Sequence, residues 1–156
     1  MRAVLASGDG GPEVLALRDA PTPSLDPGDV LIRVTAAGIN RADVMQRRGF
    51  YPPPAGASDI IGLEVSGHIA AIADGVTGWQ VGDPCIALLA GGGYAEFVAV
   101  SAAQVLPPPP GVDLVTAAGV LEVAATVQSN ARVAHLTAGE TFLVHGGAGG
   151  IGSFAI

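Results

Sequence analysis

The stretch Thr141-Phe142-Leu143-Val144-His145-Gly146-Gly147-Ala148-Gly149-Gly150-Ile151-Gly152, TFLVHGGAGGIG, runs from an apolar segment directly into a cluster of glycines. Its apolar part reads as a buried strand. Gly147, Gly149 and Gly152 then satisfy G-x-G-x-x-G at the strand-to-helix turn, where dinucleotide-binding α/β folds use it. There the first glycine permits a tight turn, the second lets the backbone approach a pyrophosphate, and the third allows close helix packing. Free N–H groups at the helix start face the anion. Gly147 to Gly152, with Ala148, Gly150 and Ile151 between the motif glycines, is therefore the candidate cofactor-binding loop. A P-loop is the rival, but it needs a lysine for the phosphates, and the chain has none. The bland alternative is a glycine-rich turn that binds nothing.

Upstream of this loop, residues 113–118 and 122–136 are rich in alanine, leucine and valine at helical spacing. Before them Pro107-Pro108-Pro109-Pro110-Gly111 forms a stiff connector, because each proline ring fixes φ and removes a donor. The first hundred residues differ: period-two alternation between turn signals marks strands at 3–6, 14–18, 30–34, 65–72, 84–89 and 94–100. Many short strands with frequent glycine suggest a barrel-like β domain. One short helix interrupts it, with Asn40 placed to cap Arg41 to Arg48 and Gly49 placed to end it. Asp43, three residues on, is read as bonding back to the first turn.

Composition narrows the function. The 156 residues suit one domain, or one domain and part of a second. Net charge is −7 and all seven basic residues are arginines, which disfavours nucleic acid as a partner. Arg41, Arg47 and Arg48 are read as a solvated helix face. No apolar run reaches the roughly 20 residues of a membrane span, and Met1 to Gly8 turns polar too soon for a secretory leader, so a cytoplasmic location is expected. The single cysteine, Cys85, is read as a small buried residue. His68, His135 and His145 lie far apart without ligand spacing and are read as structural or surface residues. There is no G-x-S-x-G elbow and no lysine for a Schiff base.

Three stretches in order carry a family resemblance: VLIRVTAAGINRADVMQRRGFYPPPAGASDIIGLEVSGHI from Val30 to Ile69, WQVGDPCIALLAGGGYAEFVAV from Trp79 to Val100, and the glycine loop. Together they resemble the zinc-independent, zeta-crystallin-like quinone oxidoreductases of the medium-chain dehydrogenase/reductase superfamily, over nearly the whole chain. The resemblance implies an α/β protein: a GroES-like β-rich catalytic domain over residues 1–123, followed by the beginning of a Rossmann domain over 124–156. It also implies that NADPH binds between the two, that a quinone or related conjugated carbonyl is reduced, and that the full-length protein is a homodimer. Activity is then expected to need sequence beyond Ile156, and the isolated chain to bind NADPH weakly. The residue that selects NADP over NAD lies about 20 residues past the loop.

By position, Asn40 and Tyr51 match the residues that border nicotinamide and substrate in that family, and Thr126 matches the threonine at the nicotinamide end. Helix capping is the structural alternative for Asn40, and aromatic packing on Pro52 and Pro53 for Tyr51. The family's usual proline before the glutamate is Leu121 here, which loosens the match at Thr126. Zinc alcohol dehydrogenases place metal ligands where this chain has Asn40 and Leu63, which leaves Glu64 without partners and a metal without support. An enoyl-thioester or alkenal reductase shares the two-domain plan, and a non-catalytic β-domain binding module is the alternative from another class.

Overall fold

A computed structural model describes all 156 residues. The chain begins with a hairpin of β1 (Arg2–Ala6) and β2 (Leu15–Asp19). Next come β3 (Asp29–Ala37), helix α1 (Arg41–Arg47), β4 (Glu64–Ile72), β5 (Pro84–Leu88), β6 (Phe97–Ser101) and the two-residue β7 (Val105–Leu106). Three helices follow: α2 (Leu114–Ala117), α3 (Leu121–Val133) and α4 (Gly150–Ala155). No helix is long and apolar enough to cross a membrane.

Five strands form one sheet in the order β6-β3-β4-β5-β7, with every pairing antiparallel. The alternation in β3 decides its faces. Val30 and Ile32 point into the core and pair with Val100 and Val98, while Arg33 on the other face is exposed. Val65, Ile69, Cys85 and Ala87 complete the same cluster. Register shifts in the β3–β4 pair, between Leu31 and Ile32 and between Val34 and Ala36, curl the sheet. The bridge of Ala3 to Ala95 fastens the hairpin to the segment ahead of β6.

A second cluster of Ile86, Ala117 and Leu121 packs α2 and α3 against β5. Asp113 starts α2 by accepting the Thr116 N–H at 3.0 Å, and the Ser66 hydroxyl donates to the Leu114 carbonyl, which fixes α2 over β4. The Cys85 thiol, buried among apolar neighbours and near the Asp83 charge, is pushed up to about 12, so it stays protonated and packs as an apolar residue.

Three expectations are corrected. Thr141 to His145 forms no strand; Phe142 and Leu143 are exposed, because none of the five sheet strands runs beside them. The helix expected to reach Leu136 ends at Val133, because His135 adopts a left-handed φ of 54°. The Leu136 N–H then returns to the Ala131 carbonyl at 3.0 Å, closing the helix end. Arg47 is not part of a solvated face: it is half-buried and donates to the Gly10 carbonyl at 3.2 Å, joining α1 to the first hairpin loop.

Candidate cofactor cleft

Helix α1 needs a polar start because its first N–H groups lack intrahelical partners. Asp43 supplies the return half of a capping box, accepting the Asn40 N–H at 2.7 Å. Its carboxylate is only 3% exposed, and the same Oδ2 accepts the Tyr94 hydroxyl at 2.9 Å, so α1 is tied to the strand segment before β6. The other oxygen, Oδ1, is buried without a partner. Burial raises the Asp43 carboxyl above its ordinary range, against the lowering effect of the Asn40 N–H and Tyr94 hydroxyl. Burial first, and the Asp43 carboxylate second, raise the Tyr94 phenol.

The Asn40 side chain turns the other way. Its Nδ2 donates to Glu64 Oε1 at 2.9 Å. Glu64, the first residue of β4, is 1% exposed, and its Oε2 accepts the Glu122 N–H at 3.0 Å. That N–H lies in the first turn of α3, whose preceding residue Val120 offers no side-chain cap. Glu64 therefore caps α3 from a different element, with its charge at the positive end of the helix dipole. Gly38 makes room for it, since a Cβ there would collide with the carboxylate. Thr126, one turn along α3, approaches Glu122 Oε1 at 3.4 Å. Burial and the Glu64 charge raise the Glu122 carboxyl.

These residues open onto a cleft of about 1100 Å³, above the usual 300–1,000 Å³ of small-molecule pockets. Asn40, Glu64 and Glu122 line one side, and Gly146, Gly149 and Gly152 line the other. The left-handed turn is made by Gly146, at φ 72°, and not by Gly147, the first glycine of the motif. A Cβ on Gly152 would strike the Gly146 carbonyl, so the third glycine is required by packing. At Gly149 a Cβ would come no nearer than 3.4 Å to any protein atom outside its immediate neighbours. Internal packing therefore does not require a glycine at that position.

The expected site residues are thus only partly assembled. Asn40, Gly149, Gly150, Ile151 and Gly152 share the cleft, whereas Gly147 and Ala148 do not line it. Thr126 stands just behind the wall through Glu122, Val123 and Val127. Tyr51 is 47% exposed in the loop after α1, outside the cleft, and its hydroxyl bonds no protein group. Glu64, which has no metal-ligand partners in the sequence, is the junction of β4, α1 and α3 through its hydrogen bonds. Asp43, which is buried, and Tyr94, which is half-buried, form a second pair that the sequence does not reveal as a pair. No three His, Cys, Asp or Glu side chains converge to hold a metal ion.

Residues 26–110 match the alcohol dehydrogenase GroES-like domain model, more than half of the chain. The chain belongs to that family, within the medium-chain dehydrogenase/reductase superfamily. It is 38% identical to a quinone oxidoreductase of Pseudomonas aeruginosa, over 94% of this chain and 45% of that protein. Among solved structures it resembles the CurK enoyl reductase, with TM-score 0.89 and 28% identity over 99% of this chain and 49% of that one. It also resembles a mycobacterial protein complexed with NADPH, with TM-score 0.85 and 35% identity over 99% of this chain and 48% of that one. The chain spans about half the length of the relatives it matches.

Proposed function

We propose that residues 1–123 supply the catalytic domain, and residues 124–156 the opening of the nucleotide-binding domain, of an NADPH-dependent reductase of quinones or related conjugated carbonyls. The observation that carries the reading is the shared cleft, with Asn40 on one wall and the Gly146–Gly152 loop on the other. Helix α3 crosses the division between the two parts and connects them. The names of the relatives and the NADPH in the mycobacterial neighbour support the choice of cofactor and acceptor.

Bound NADPH supplies the hydride. The chain's own residues supply place and orientation. Gly149 leaves room for the pyrophosphate at the start of α4, whose first backbone N–H groups lack intrahelical partners. Asn40 and Thr126 border the nicotinamide. Tyr51 lies outside the cleft in this fold, and its role as donor to the substrate oxygen, where negative charge develops, rests on the family resemblance. Apolar walls from Ile39, Val127 and Leu136 limit water at the reacting face. We place the full-length protein in the cytoplasm as a homodimer.

A second reading, reduction of an enoyl thioester, is favoured by the likeness to CurK enoyl reductase. The test is NADPH oxidation by the native protein, made from its complete reading frame, with 1,4-benzoquinone and separately with a crotonyl thioester. Turnover on the quinone at least about tenfold faster supports the first reading, a difference of about 1.4 kcal/mol in activation free energy. The reverse order supports the second. NADPH neither oxidised nor bound would reduce the chain to a binding module.

A further inference from the structure

We propose that Glu64 is a positioning residue whose buried carboxylate holds the Asn40 amide in one orientation at the cleft and ties it to α3. The proposal rests on the reading that Asn40 borders the nicotinamide. Both Glu64 oxygens serve as acceptors, Oε1 from Asn40 and Oε2 from the Glu122 N–H, so Asn40 offers it the Nδ2 arm and not Oδ1. Glu64 has no freedom to adjust: it is 1% exposed, Gly38 leaves room for it and no more, and its second oxygen is taken by the Glu122 N–H. The backbone of Asn40 is held independently by Asp43.

The connections run on beyond Asn40. Glu64 joins it to Glu122, and Glu122 approaches Thr126, so the two residues assigned to the nicotinamide end on separate elements share one chain of contacts. Glu64→Gln tests this with almost no change of shape. A glutamine that keeps its oxygen on the Glu122 N–H must point its NH₂ at Asn40, and two donors then face each other. Asn40 relieves the conflict only by turning its amide over, which exchanges donor and acceptor toward the cleft.

The experiment is a double-mutant cycle in the native protein with NADPH and 1,4-benzoquinone, using Asn40→Ala, Glu64→Gln and the pair. Each single change is expected to lower kcat at least about tenfold, with NADPH affinity by nicotinamide fluorescence held within about threefold. The double variant should fall no further than Asn40→Ala alone, within about twofold, because Glu64 acts through Asn40. Additive losses, or wild-type turnover in Glu64→Gln while Asn40→Ala is impaired, would overturn the positioning role and leave the reading of Asn40 standing. Wild-type turnover in Asn40→Ala would overturn both. Should Glu64→Gln not fold, Glu64→Asp withdraws the carboxylate from Asn40 while keeping its charge, and the same non-additivity is required of it.

Discussion

At the scale of single residues, the polar groups behind the cleft are held by few but costly bonds. The Tyr94 hydroxyl donates to an Asp43 oxygen that also accepts the Asn40 N–H. Tyr94→Phe is expected to cost about 1.5–3 kcal/mol, the usual range for a hydrogen bond to a charged group, read as a lower midpoint in urea. A loss below about 0.5 kcal/mol would show that the pair carries no stability. Asp43 gives a pH dependence of known sign. Its folded carboxyl is raised above the ordinary value, so the folded state takes up a proton before the unfolded chain does. This contribution to stability is present at low pH and fades as pH rises through the raised value. Asp43→Asn should flatten the change in melting temperature between mildly acid and neutral pH, and an unchanged slope would assign that slope to other groups. Tyr51→Phe, in contrast, should lower turnover about tenfold to a hundredfold, the equivalent of that same charged hydrogen bond, with NADPH affinity unchanged. Full turnover would remove Tyr51 from the site.

At the scale of elements, the reach of sequence reading depends on how local the cause is. The alternation that builds β3 is written in consecutive residues, Val30 to Val34, and so is the capping relation of Asn40 and Asp43. The two-residue β7 has no period to detect, and its pairing with Ile86 and Ala87 is decided from across the sheet. Glu64 is the clearest case. Its hydrogen-bond partners lie 24 and 58 residues away, so no local pattern points to them, whereas the fold makes it the cap of α3. The packing role of Gly152 is legible from spacing, but the turn glycine is Gly146, because spacing does not reveal φ. Thr141 to Val144 has the apolar composition of a strand without a neighbour, and a strand needs one for its backbone hydrogen bonds. In the 156-residue chain its amides should exchange at near-unprotected rates while those of Val30 to Val34 are strongly protected. Equal protection of the two would show a pairing that the present fold does not contain.

At the scale of the whole molecule, a curled antiparallel sheet carries Asn40 and Glu64 on one side of a cleft, and α3 leads to the glycine loop on the other. The central claim is that this cleft receives NADPH with its pyrophosphate at Gly149. NADPH titration of the native protein, followed by nicotinamide fluorescence, tests it most directly when wild type is compared with Gly149→Val. Gly149 is the informative position because its substitution meets no close protein contact, unlike Gly152. The account predicts saturable binding in the wild type and at least about a hundredfold weaker binding in Gly149→Val, a loss of about 2.7 kcal/mol, with the melting temperature of the β domain preserved. Equal NADPH affinity in the two proteins, or no saturable binding in the wild type, would contradict it.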